Sequence, residues 1–469
     1  MSKNYRRLDK AMPKIEGVVL AAGRGTRMVS ARPKVLHDIL GLPMVVYVVR
    51  ALQGKTERIW VVTGYKGEEV EDSLRCLGLF FVRQEPQRGT GNALRVVLPH
   101  LSAPWVLVAP GDMPLLSERS LNSLIECHAS GNMDITVLTA VLEDPTGYGR
   151  VVREGDFVKA IVEEAEVSPR ERGIREVNTG VYLFSLDVLK EVLPALAPHP
   201  PKGEFYLTDV VSLGAKKGYR VGACQVEDPQ EGLGVNNREQ LAVAWSVLRD
   251  RKNRALMEAG VTLIDPSCVY VDMDVDVGQD TVVYPWVQLQ GRTSIGEGSI
   301  IYSHVRILDS QLGERVTVLD ASVVEGAVLE AEVQVGPMAR IRPGTLLGRG
   351  VKIGNFVEVK KSRIGEGSKA NHLSYIGDAT LGKGVNVGAG TITCNYDGFA
   401  KHPTVIEEGA FIGSDTQLVA PVRVGKNALI GAGSTITKDV PENALALSRA
   451  PQRNIPGKGM DYHRKKRGK

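Results

Sequence analysis

The sequence predicts an N-terminal α/β domain joined by a long helix to a solenoid of short parallel β-strands. Three observations predict this arrangement. Short β-rich apolar runs alternate with helical patterns from residue 15 to about 235, an apolar stripe of helical spacing occupies 236–259, and apolar–glycine pairs recur from about 262 to 447. Because the hydrophobic period changes at each boundary, the predicted segments are 1–235, a linker helix 236–260, and 261–469 with a C-terminal tail.

The first segment has the pattern of a largely parallel sheet with helices on both faces. Its predicted strands are Ile15–Ala21, Ile59–Thr63, Leu79–Val82, Trp105–Ala109, Ile135–Val141 and Val177–Phe184. Its predicted helices are Pro43–Leu52, Glu68–Leu77, Thr90–Leu98 and Glu118–His128. Ligands of such sheets bind at the carboxyl ends of the strands, so we expect a site in the turns that follow them.

The linker is predicted to be helical because four apolar residues fall at i, i+3, i+4 and i+7. They are Leu241, Ala244, Trp245 and Leu248. This stripe fits a rigid strut between domains, and it fits an ordinary helix that closes the first domain equally well.

In the third segment, apolar–glycine pairs recur at intervals that are mostly near multiples of six residues. Each hexapeptide would supply one flat face and a turn, with the aliphatic side chain inside and the glycine permitting the corner. Three hexapeptides then form a triangular coil of about 18 residues. The pairs end at Gly278, Gly296, Gly313, Gly336, Gly354, Gly365, Gly377, Gly382, Gly388, Gly413, Gly425 and Gly431.

The composition argues against several classes of protein. The net charge of +4, from 58 basic and 54 acidic residues, is too balanced for a nucleic-acid binder. Five scattered cysteines form neither a metal-binding spacing nor a disulfide framework, and no apolar run approaches the roughly 18 residues of a membrane span. We therefore expect a cytoplasmic protein with no nucleic-acid partner and no membrane insertion.

The turn after the first predicted strand carries residues suited to a phosphate site. Gly23 and Gly25 would let backbone N–H groups approach phosphate oxygens, and Arg27 and Lys34 can neutralise a triphosphate. Asp112 follows the strand Trp105–Ala109, where a carboxylate can hold Mg²⁺. A tight βα turn with a solvated basic flank, and an aspartate that caps the next helix, remain the alternatives.

A second polar cluster interrupts the glycine ladder. The 25-residue gap between Gly388 and Gly413 contains Asn395 and Tyr396, and His372 falls at a predicted outward-facing corner. Histidine can deprotonate an amine near neutral pH, and two cations, Arg342 and Lys360, suit a sugar phosphate. The remaining members of the cluster are Tyr375 and Asn386.

These motifs resemble one family over nearly the whole chain, from Ile15 to about Arg453. The pattern L-x-x-G-x-G-T-x-M over 20–28, with Pro33-Lys34 downstream, is similar to the signature of sugar-1-phosphate nucleotidyltransferases. The segments 388–398 and 413–421 resemble the bifunctional N-acetylglucosamine-1-phosphate uridylyltransferase/glucosamine-1-phosphate acetyltransferase family. The resemblance implies a Rossmann-like α/β nucleotidyltransferase domain joined by the long helix to a left-handed parallel β-helix of hexapeptide repeats. It also implies a homotrimer formed through the β-helix, with acetyltransferase sites between neighbouring subunits.

The resemblance assigns residues to each site. In the first domain it implies that Arg27 and Lys34 are catalytic and that Asp112 and Asn236 hold Mg²⁺. UTP and the UDP-sugar product would contact Leu20, Ala21, Ala22, Gly23, Lys34, Gln84, Gly89, Thr90, Gly149, Glu163, Asn178 and Asn236.

In the β-helix, the resemblance implies that His372 is the general base, with Asn395 orienting the base or the substrate and Ser414 stabilising the oxyanion. Glucosamine-1-phosphate would contact Arg342, Lys360, Tyr375 and Asn386. Acetyl-CoA would contact Ala389, Asn395, Tyr396, Ser414, Ala432 and Arg449.

The chain departs from the family pattern at a few positions. Pro110 stands where tyrosine is frequent, and Asn92 stands where histidine is common, which puts contacts on the sugar wall in doubt. Residues 1–14 form an extension without a recognisable role, and the basic run 463–467 is interpreted as a frayed, solvated tail. Two alternatives compete with the bifunctional enzyme: a glucose- or mannose-phosphate nucleotidyltransferase with an inert β-helix, and a non-catalytic scaffolding subunit.

Overall fold

The computed structural model describes residues 12–200 and 203–467. The chain divides into two compact units, Met1–Arg249 and Asp250–Lys469. Most of the predicted N-terminal extension lies outside the described residues. Within those residues, the Lys14 ammonium forms an ion pair with Glu57 at 2.7 Å.

The first unit is built on a nine-stranded sheet. Its strands are β1 (Ile15–Ala21), β2 (Arg58–Thr63), β3 (Phe80–Arg83), β4 (Trp105–Pro110), β5 (Ile135–Val141), β6 (Arg150–Glu154), β7 (Phe157–Val162), β8 (Glu176–Ser185) and β9 (Val221–Gln225). The main path runs β9–β5–β8–β4–β1–β2–β3, and the hairpin β6–β7 attaches to β8. Two short strands, Asp38–Ile39 and Leu42–Pro43, pair separately.

Helices cover both faces of this sheet. They are α1 (Met44–Leu52), α2 (Gly67–Leu74), α3 (Thr90–Val97), α4 (Glu118–Ser130), α5 (Leu186–Val192) and α6 (Asp209–Lys216). Consecutive residues of β1, Val18 and Val19, are both fully buried and belong to opposite apolar clusters. Burial of successive residues is expected of a strand that is covered on both sides.

The sheet is less parallel than the sequence predicts. β1 pairs in parallel with β2 and β4, but β8 runs antiparallel to both β4 and β5. The hairpin β6–β7, strand β9 and helices α5 and α6 were not predicted from the sequence. The parallel strands β1 to β4 nevertheless bring their carboxyl ends to one edge, where the candidate site lies.

The predicted long helix is α7, Arg238–Glu258. Ala244 and Leu248 of the predicted stripe are buried, and Trp245 donates its indole N–H to the Asp38 carbonyl at 3.1 Å. In the second unit, the buried Asn253 amide donates to the carbonyls of Pro266 and Val269 at 2.7 and 2.9 Å. One helix therefore contributes packing contacts to each of the two units.

The second unit is a parallel β-helix with three flat faces. The first face comprises Thr262–Leu263, Val282–Val283, Ile300–Ile301, Thr317–Val318, Gln334–Val335, Lys352–Asn355, Lys369–His372, Asn386–Val387, Phe411–Ile412, Leu429–Ile430 and Leu445–Ala446. The second comprises Tyr270–Val271, Gln288–Gln290, Arg306–Leu308, Val323–Glu325, Arg340–Ile341, Glu358–Lys360, Tyr375–Gly377, Ile392–Cys394, Gln417–Val419 and Thr435–Ile436. The third comprises Asp276–Val277, Ser294–Ile295, Gln311–Leu312, Val328–Leu329, Leu346–Leu347, Arg363–Ile364, Ala379–Leu381, Thr404–Ile406 and Val422–Val424.

The ladder glycines have a different physical reason from the predicted one. A Cβ on Gly278 would lie 2.6 Å from the Glu297 nitrogen, and one on Gly313 would lie 2.8 Å from the Ala331 nitrogen. Neither glycine has a positive φ. These glycines therefore allow the backbone of the next coil to approach closely, and other residues make most of the left-handed corners.

Residues with positive φ recur at all three corners in most of the coils. The corner between the third and first faces uses glycine or polar residues, such as Asp280, Gly298 and Arg315. Over six successive coils, the corner between the first and second faces, here called the apolar corner, holds Trp286, His304, Ala321, Met338, Phe356 and Leu373; the next three coils have Gly390, Asp415 and Gly433 there. Trp286, Met338, Phe356 and Leu373 are also exposed there. Large apolar side chains rarely adopt this conformation, so the apolar corner is unusual both in strain and in exposure.

The C-terminal run ends in a helix, α8 (Lys458–Arg467), which is exposed throughout. The predicted solvated tail is therefore exposed, but its last described residues are helical instead of frayed. Across the described residues, none of the helices combines the length and apolarity that crossing a membrane requires.

Candidate active sites

The first candidate site begins at the glycine-rich turn after β1. Gly25 has a φ of 64°, and a Cβ there would lie 2.5 Å from the Lys34 Cβ. The turn leads into a short 3₁₀ helix, Thr26–Met28, and Lys34 opens another, Lys34–Leu36. Only glycine allows this conformation and this approach together, so Gly25 places Lys34 against the turn.

Lys34 lies between two oxygen-bearing side chains from distant parts of the chain. Its ammonium forms an ion pair with Asp112, which lies in the turn directly after β4, and donates to Asn236 Oδ1 at 3.1 Å. Arg27 donates to the same Asn236 oxygen at 3.0 Å. The Val235 N–H donates to the Asp112 carbonyl at 2.9 Å, which ties the segment before α7 to this edge of the sheet.

Asp112 and Asn236 fit a magnesium site. Mg²⁺ is usually held by one or two protein oxygens together with substrate phosphates and waters. Within the described ranges, no group of three or more His, Cys, Asp or Glu side chains could hold a metal by itself. The side-chain oxygens of Asp112 and Asn236 already converge on one cation, the Lys34 ammonium. Two protein oxygens are the number expected for a Mg²⁺ ion whose other ligands are substrate phosphates and waters.

A cavity of about 410 Å³ opens beside this cluster. Nine predicted residues line it: Leu20, Ala21, Ala22, Gly23, Lys34, Gln84, Gly89, Thr90 and Asp112. Arg24, Gln87 and Glu204 also line the cavity and were not predicted from the sequence. Arg24 could have been found as the cation inside the glycine turn, whereas Glu204 carries no motif signal.

The far wall of the cavity is held by Gln84. This buried side chain donates to the Gly89 carbonyl and to Asn92 Oδ1, both at 2.9 Å. Thr90 accepts from the Leu207 N–H at 3.1 Å. Asn92, a departure from the family pattern, therefore helps to fix Gln84 on this wall.

The predicted sugar residues form a neighbouring cluster that does not line this cavity. Asn178 donates to the Tyr182 hydroxyl at 2.7 Å, and its oxygen accepts from the Gly180 N–H at 3.0 Å. Its backbone N–H donates to the Gly149 carbonyl at 2.9 Å. Glu163 accepts from the Thr208 hydroxyl at 2.8 Å, and burial raises the pKa of its carboxyl.

The second candidate site begins with three cations on the β-helix. Arg342 and Lys360 follow each other on successive coils of the second face, and Arg342 pairs with Glu358 at 2.7 Å. Lys401, from the loop that interrupts the ladder, lies against Lys360, and this contact together with Arg342 lowers the pKa of Lys360. A cluster of cations that repel one another in this way suits an anionic ligand.

The interrupting loop buries Asn395 beside these cations. Its amide donates to Asp378 Oδ2 at 2.6 Å and to the Tyr375 hydroxyl at 3.4 Å. Gly377 makes the room, because a Cβ there would collide with the Tyr375 hydroxyl. Asp378 was not predicted from the sequence. The predicted residue Tyr396 is exposed and donates to the Gly398 carbonyl at 2.6 Å.

His372 lies on a different face. It ends the first-face strand Lys369–His372, is exposed, and has its Nδ1 3.0 Å from Asn355 Oδ1. Asn355 was not predicted, although its distance of one coil from His372 was visible in the sequence. Among the described contacts, no hydrogen bond or ion pair joins His372 to Lys360, Tyr375 or Asn395. In one chain, His372 and Asn386 lie on the first face, whereas Lys360 and Tyr375 lie on the second.

The residues predicted for acetyl-CoA continue from His372 along the β-helix. In the first-face register, Val387 pairs with Ala370 and Ile412, so Ala389 and Ser414 fall at the position of His372 on the following coils. Ala432 falls there on the next coil. Arg449 donates to the Ala432 carbonyl at 2.8 Å, and Asn386 pairs with Lys369 on the same face.

Different protein families match the two units of the chain. Residues 17–177 match the MobA-like NTP transferase domain, 265–364 match the GMPPB C-terminal domain, and 403–438 match the bacterial transferase hexapeptide (six repeats) family. The chain is a nucleotidyltransferase joined to a hexapeptide-repeat transferase. The predicted fold class, a Rossmann-like domain joined to a left-handed parallel β-helix, is confirmed.

Relatives that match nearly the whole chain identify its family more narrowly. The chain is 50% identical over 94% of its length to the bifunctional protein GlmU of Carboxydothermus hydrogenoformans, covering 99% of that relative. It is 50% identical to the GlmU of Heliobacterium modesticaldum and 49% identical to that of Methylococcus capsulatus, over 94% of this chain and 96% of each relative. The chain belongs to the bifunctional GlmU family. Its nucleotidyltransferase domain implies a nucleotide substrate and a metal.

Proposed function

We propose that this enzyme makes UDP-N-acetylglucosamine in two steps. The β-helix acetylates glucosamine-1-phosphate with acetyl-CoA, and the first domain then joins the product to UTP with release of pyrophosphate. The observation that carries the proposal is that each unit has its own polar site, one around Lys34 and Asp112 and one around His372 and Lys360. Neither site would be required if the other unit did all the chemistry.

In uridylyl transfer, the sugar-phosphate oxygen attacks the α-phosphorus of UTP, and the bond to pyrophosphate breaks. Lys34 and Arg27 stabilise the charge that develops on the phosphate oxygens. Mg²⁺ held by Asp112 and Asn236 would supply further neutralisation of phosphate charge. The wall formed by Gln84, Gly89 and Thr90 would hold the uracil, and Gly149, Glu163 and Asn178 would hold the N-acetylated sugar.

In acetyl transfer, the 2-amino group of the sugar attacks the thioester carbonyl, the carbon–sulfur bond breaks, and the coenzyme A thiolate leaves. His372 removes the proton from the amine. Arg342 and Lys360, with Tyr375 and Asn386, hold glucosamine-1-phosphate. Ala389, Asn395, Tyr396, Ser414, Ala432 and Arg449 line the acetyl-CoA path, with Asn395 orienting and Ser414 stabilising the oxyanion.

The proposal includes a homotrimer formed through the β-helix. The apolar corner supports it, because its strained and exposed apolar side chains are explained if another copy covers them. The placement of His372 and Lys360 on different faces also supports it, because a neighbouring copy could then bring the base of one chain to the cations of another. We further propose a cytoplasmic location, which five free thiols fit.

One assay tests the proposal. The enzyme is given glucosamine-1-phosphate, acetyl-CoA, UTP and Mg²⁺, and the release of coenzyme A and of pyrophosphate is followed. We expect His372→Ala to abolish coenzyme A release while uridylyl transfer from supplied N-acetylglucosamine-1-phosphate persists, and Asp112→Ala to do the reverse. Loss of both activities in either variant, or uridylyl transfer retained by Asp112→Ala, would contradict the two-site proposal.

A further inference from the structure

The contact between Asn355 and His372 determines which nitrogen of the imidazole carries the proton. The two residues are paired in register on neighbouring coils of the first face, and Asn355 Oδ1 lies 3.0 Å from His372 Nδ1. An amide oxygen only accepts a hydrogen bond, so the Nδ1 atom carries the proton and donates it. In a neutral imidazole, the other nitrogen, Nε2, then has a free lone pair.

Two further hydrogen bonds hold the peptide group that joins His372 to Leu373. The Leu373 N–H donates to the Asn355 carbonyl at 3.0 Å, and the Ser374 hydroxyl donates to the His372 carbonyl at 2.9 Å. Asn355 thus holds the corner residue after His372 through its backbone and the imidazole through its side chain. An exposed histidine without such a partner would exchange between tautomers and rotamers.

We propose that Asn355 is the positioning residue of the acetyl-transfer step, holding His372 in the tautomer whose Nε2 accepts the amine proton. This inference rests on the proposed role of His372 as the base. Because the partner is a neutral amide, it orients the ring without stabilising the imidazolium as a carboxylate would.

The charged groups on the strands beside His372 are lysines. Lys352 lies three residues before Asn355 on the preceding coil, and Lys369 lies three residues before His372 on its own strand. On the following coil, the residue paired with Lys369 is the uncharged Asn386. Replacing Asn355 with aspartate would therefore place a carboxylate directly against the His372 ring, on strands whose other charged residues are lysines.

The experiment compares two substitutions of Asn355 in the full-length enzyme, with Asn371→Asp as the matched control. Asn371 is the exposed neighbour of His372 on the same strand, so its replacement adds the same charge without taking the place of the Nδ1 partner. Acetyl-transfer kcat and KM are measured from pH 5.5 to 9.5. Uridylyl transfer in the same samples reports on the integrity of the first domain.

We expect Asn355→Ala to lower acetyl-transfer kcat at least tenfold while KM for glucosamine-1-phosphate stays within about twofold. We expect Asn355→Asp to shift the acidic limb of the kcat profile upward by about one pH unit, because its carboxylate stabilises the imidazolium. An acetyl-transfer kcat equal to the wild-type value above pH 8.5 would show that the β-helix coil containing position 355 is folded in Asn355→Asp. Asn371→Asp should move the limb by much less.

Two results would overturn the inference: Asn355→Ala with kcat within twofold of the wild type, or Asn355→Asp with an unshifted profile. If His372→Ala itself retained acetyl transfer, the proposed base would be wrong, which is a separate failure. An inactive His372→Ala together with a normal Asn355→Ala would remove the positioning role alone.

Discussion

At the scale of single residues, the first site depends on one ammonium group. Lys34 joins Asp112 and Asn236, whose positions are 78 and 202 residues away from it in the sequence. We expect Lys34→Met to lower uridylyl-transfer kcat by at least about a hundredfold, because a cation aimed at developing phosphate charge is lost. The measurement is pyrophosphate release at saturating UTP.

Lys34→Arg is the matched control for charge. Its planar guanidinium cannot replace a compact ammonium between two oxygens, so we expect most of the loss to remain. Acetyl transfer should be unchanged in both variants. Wild-type uridylyl transfer by Lys34→Met would contradict the assigned role.

A second residue-scale prediction concerns stability. His128 is buried against Trp105, its Nδ1 lies 2.8 Å from the Thr136 hydroxyl oxygen, and burial lowers its pKa to about 4. Between about pH 6.5 and pH 4 the unfolded chain binds a proton that the folded chain does not, so stability falls as the pH is lowered. From pH 7 to pH 5 this residue alone should cost about 2 kcal/mol of unfolding free energy.

Urea unfolding followed by tryptophan fluorescence measures this effect, since Trp105 contacts the ring. His128→Gln should remove most of the pH dependence between pH 7 and pH 5, whatever it does to stability at pH 7. Between pH 7.5 and 8.5 the wild type and the variant should differ by a constant amount. An equal acid-induced loss in both proteins would show that His128 is not the group responsible.

At the scale of elements, the glycine ladder has two functions that the sequence pattern does not separate. Most ladder glycines allow close stacking of coils, but Gly377 makes room for side chains of the second site. We expect Gly377→Ala to lower acetyl-transfer efficiency at least tenfold, because its methyl group displaces Tyr375 and Asn395. Steady-state kinetics with glucosamine-1-phosphate measure the change.

Gly384→Asn is the control for this substitution. Gly384 has a φ of 64° with no atom within 4 Å of its Cβ position, and asparagine tolerates that conformation. This variant should keep acetyl transfer near the wild-type value. Similar losses in both variants would mean that any added side chain in the β-helix is harmful, and Gly377 would have no special role.

The apolar corner is the second element-scale feature. Phe356 is exposed there with a φ of 56°, a conformation that costs about 1–3 kcal/mol for a bulky residue unless its surroundings compensate. We expect Phe356→Asp to dissociate the proposed trimer and to reduce acetyl transfer while uridylyl transfer persists. Size-exclusion chromatography with light scattering measures the assembly.

Asn427→Asp introduces the same charge at the corner between the third and first faces, where residue 427 also has a positive φ. It should leave the assembly intact. A wild-type molecular mass for Phe356→Asp would exclude the apolar corner as the contact between copies.

At the scale of the whole molecule, the two sites are expected to work independently. An equimolar mixture of Asp112→Ala and His372→Ala should convert glucosamine-1-phosphate, acetyl-CoA and UTP to UDP-N-acetylglucosamine after a lag, because each variant retains one step. Neither variant alone should do so. Product formation is followed by chromatography of the nucleotide sugar, and failure of the mixture would mean that the intermediate does not pass between molecules.

Local patterns in the sequence determined a large part of this protein. The alternation of apolar runs predicted six of the nine strands of the first sheet, and the apolar–glycine period predicted the coils of the β-helix. The glycine turn with Lys34, and the break in the ladder that contains Asn395, marked both sites. These features are readable because strand pleating, helical spacing and coil stacking each impose a period on neighbouring residues.

Only the tertiary structure decided which of these residues meet. It placed Lys34 between Asp112 and Asn236, buried Asn395 against Asp378, and paired His372 with Asn355. Contacts of this kind depend on strand order and on the register between coils, and both are set by the packing of segments that are distant in the sequence.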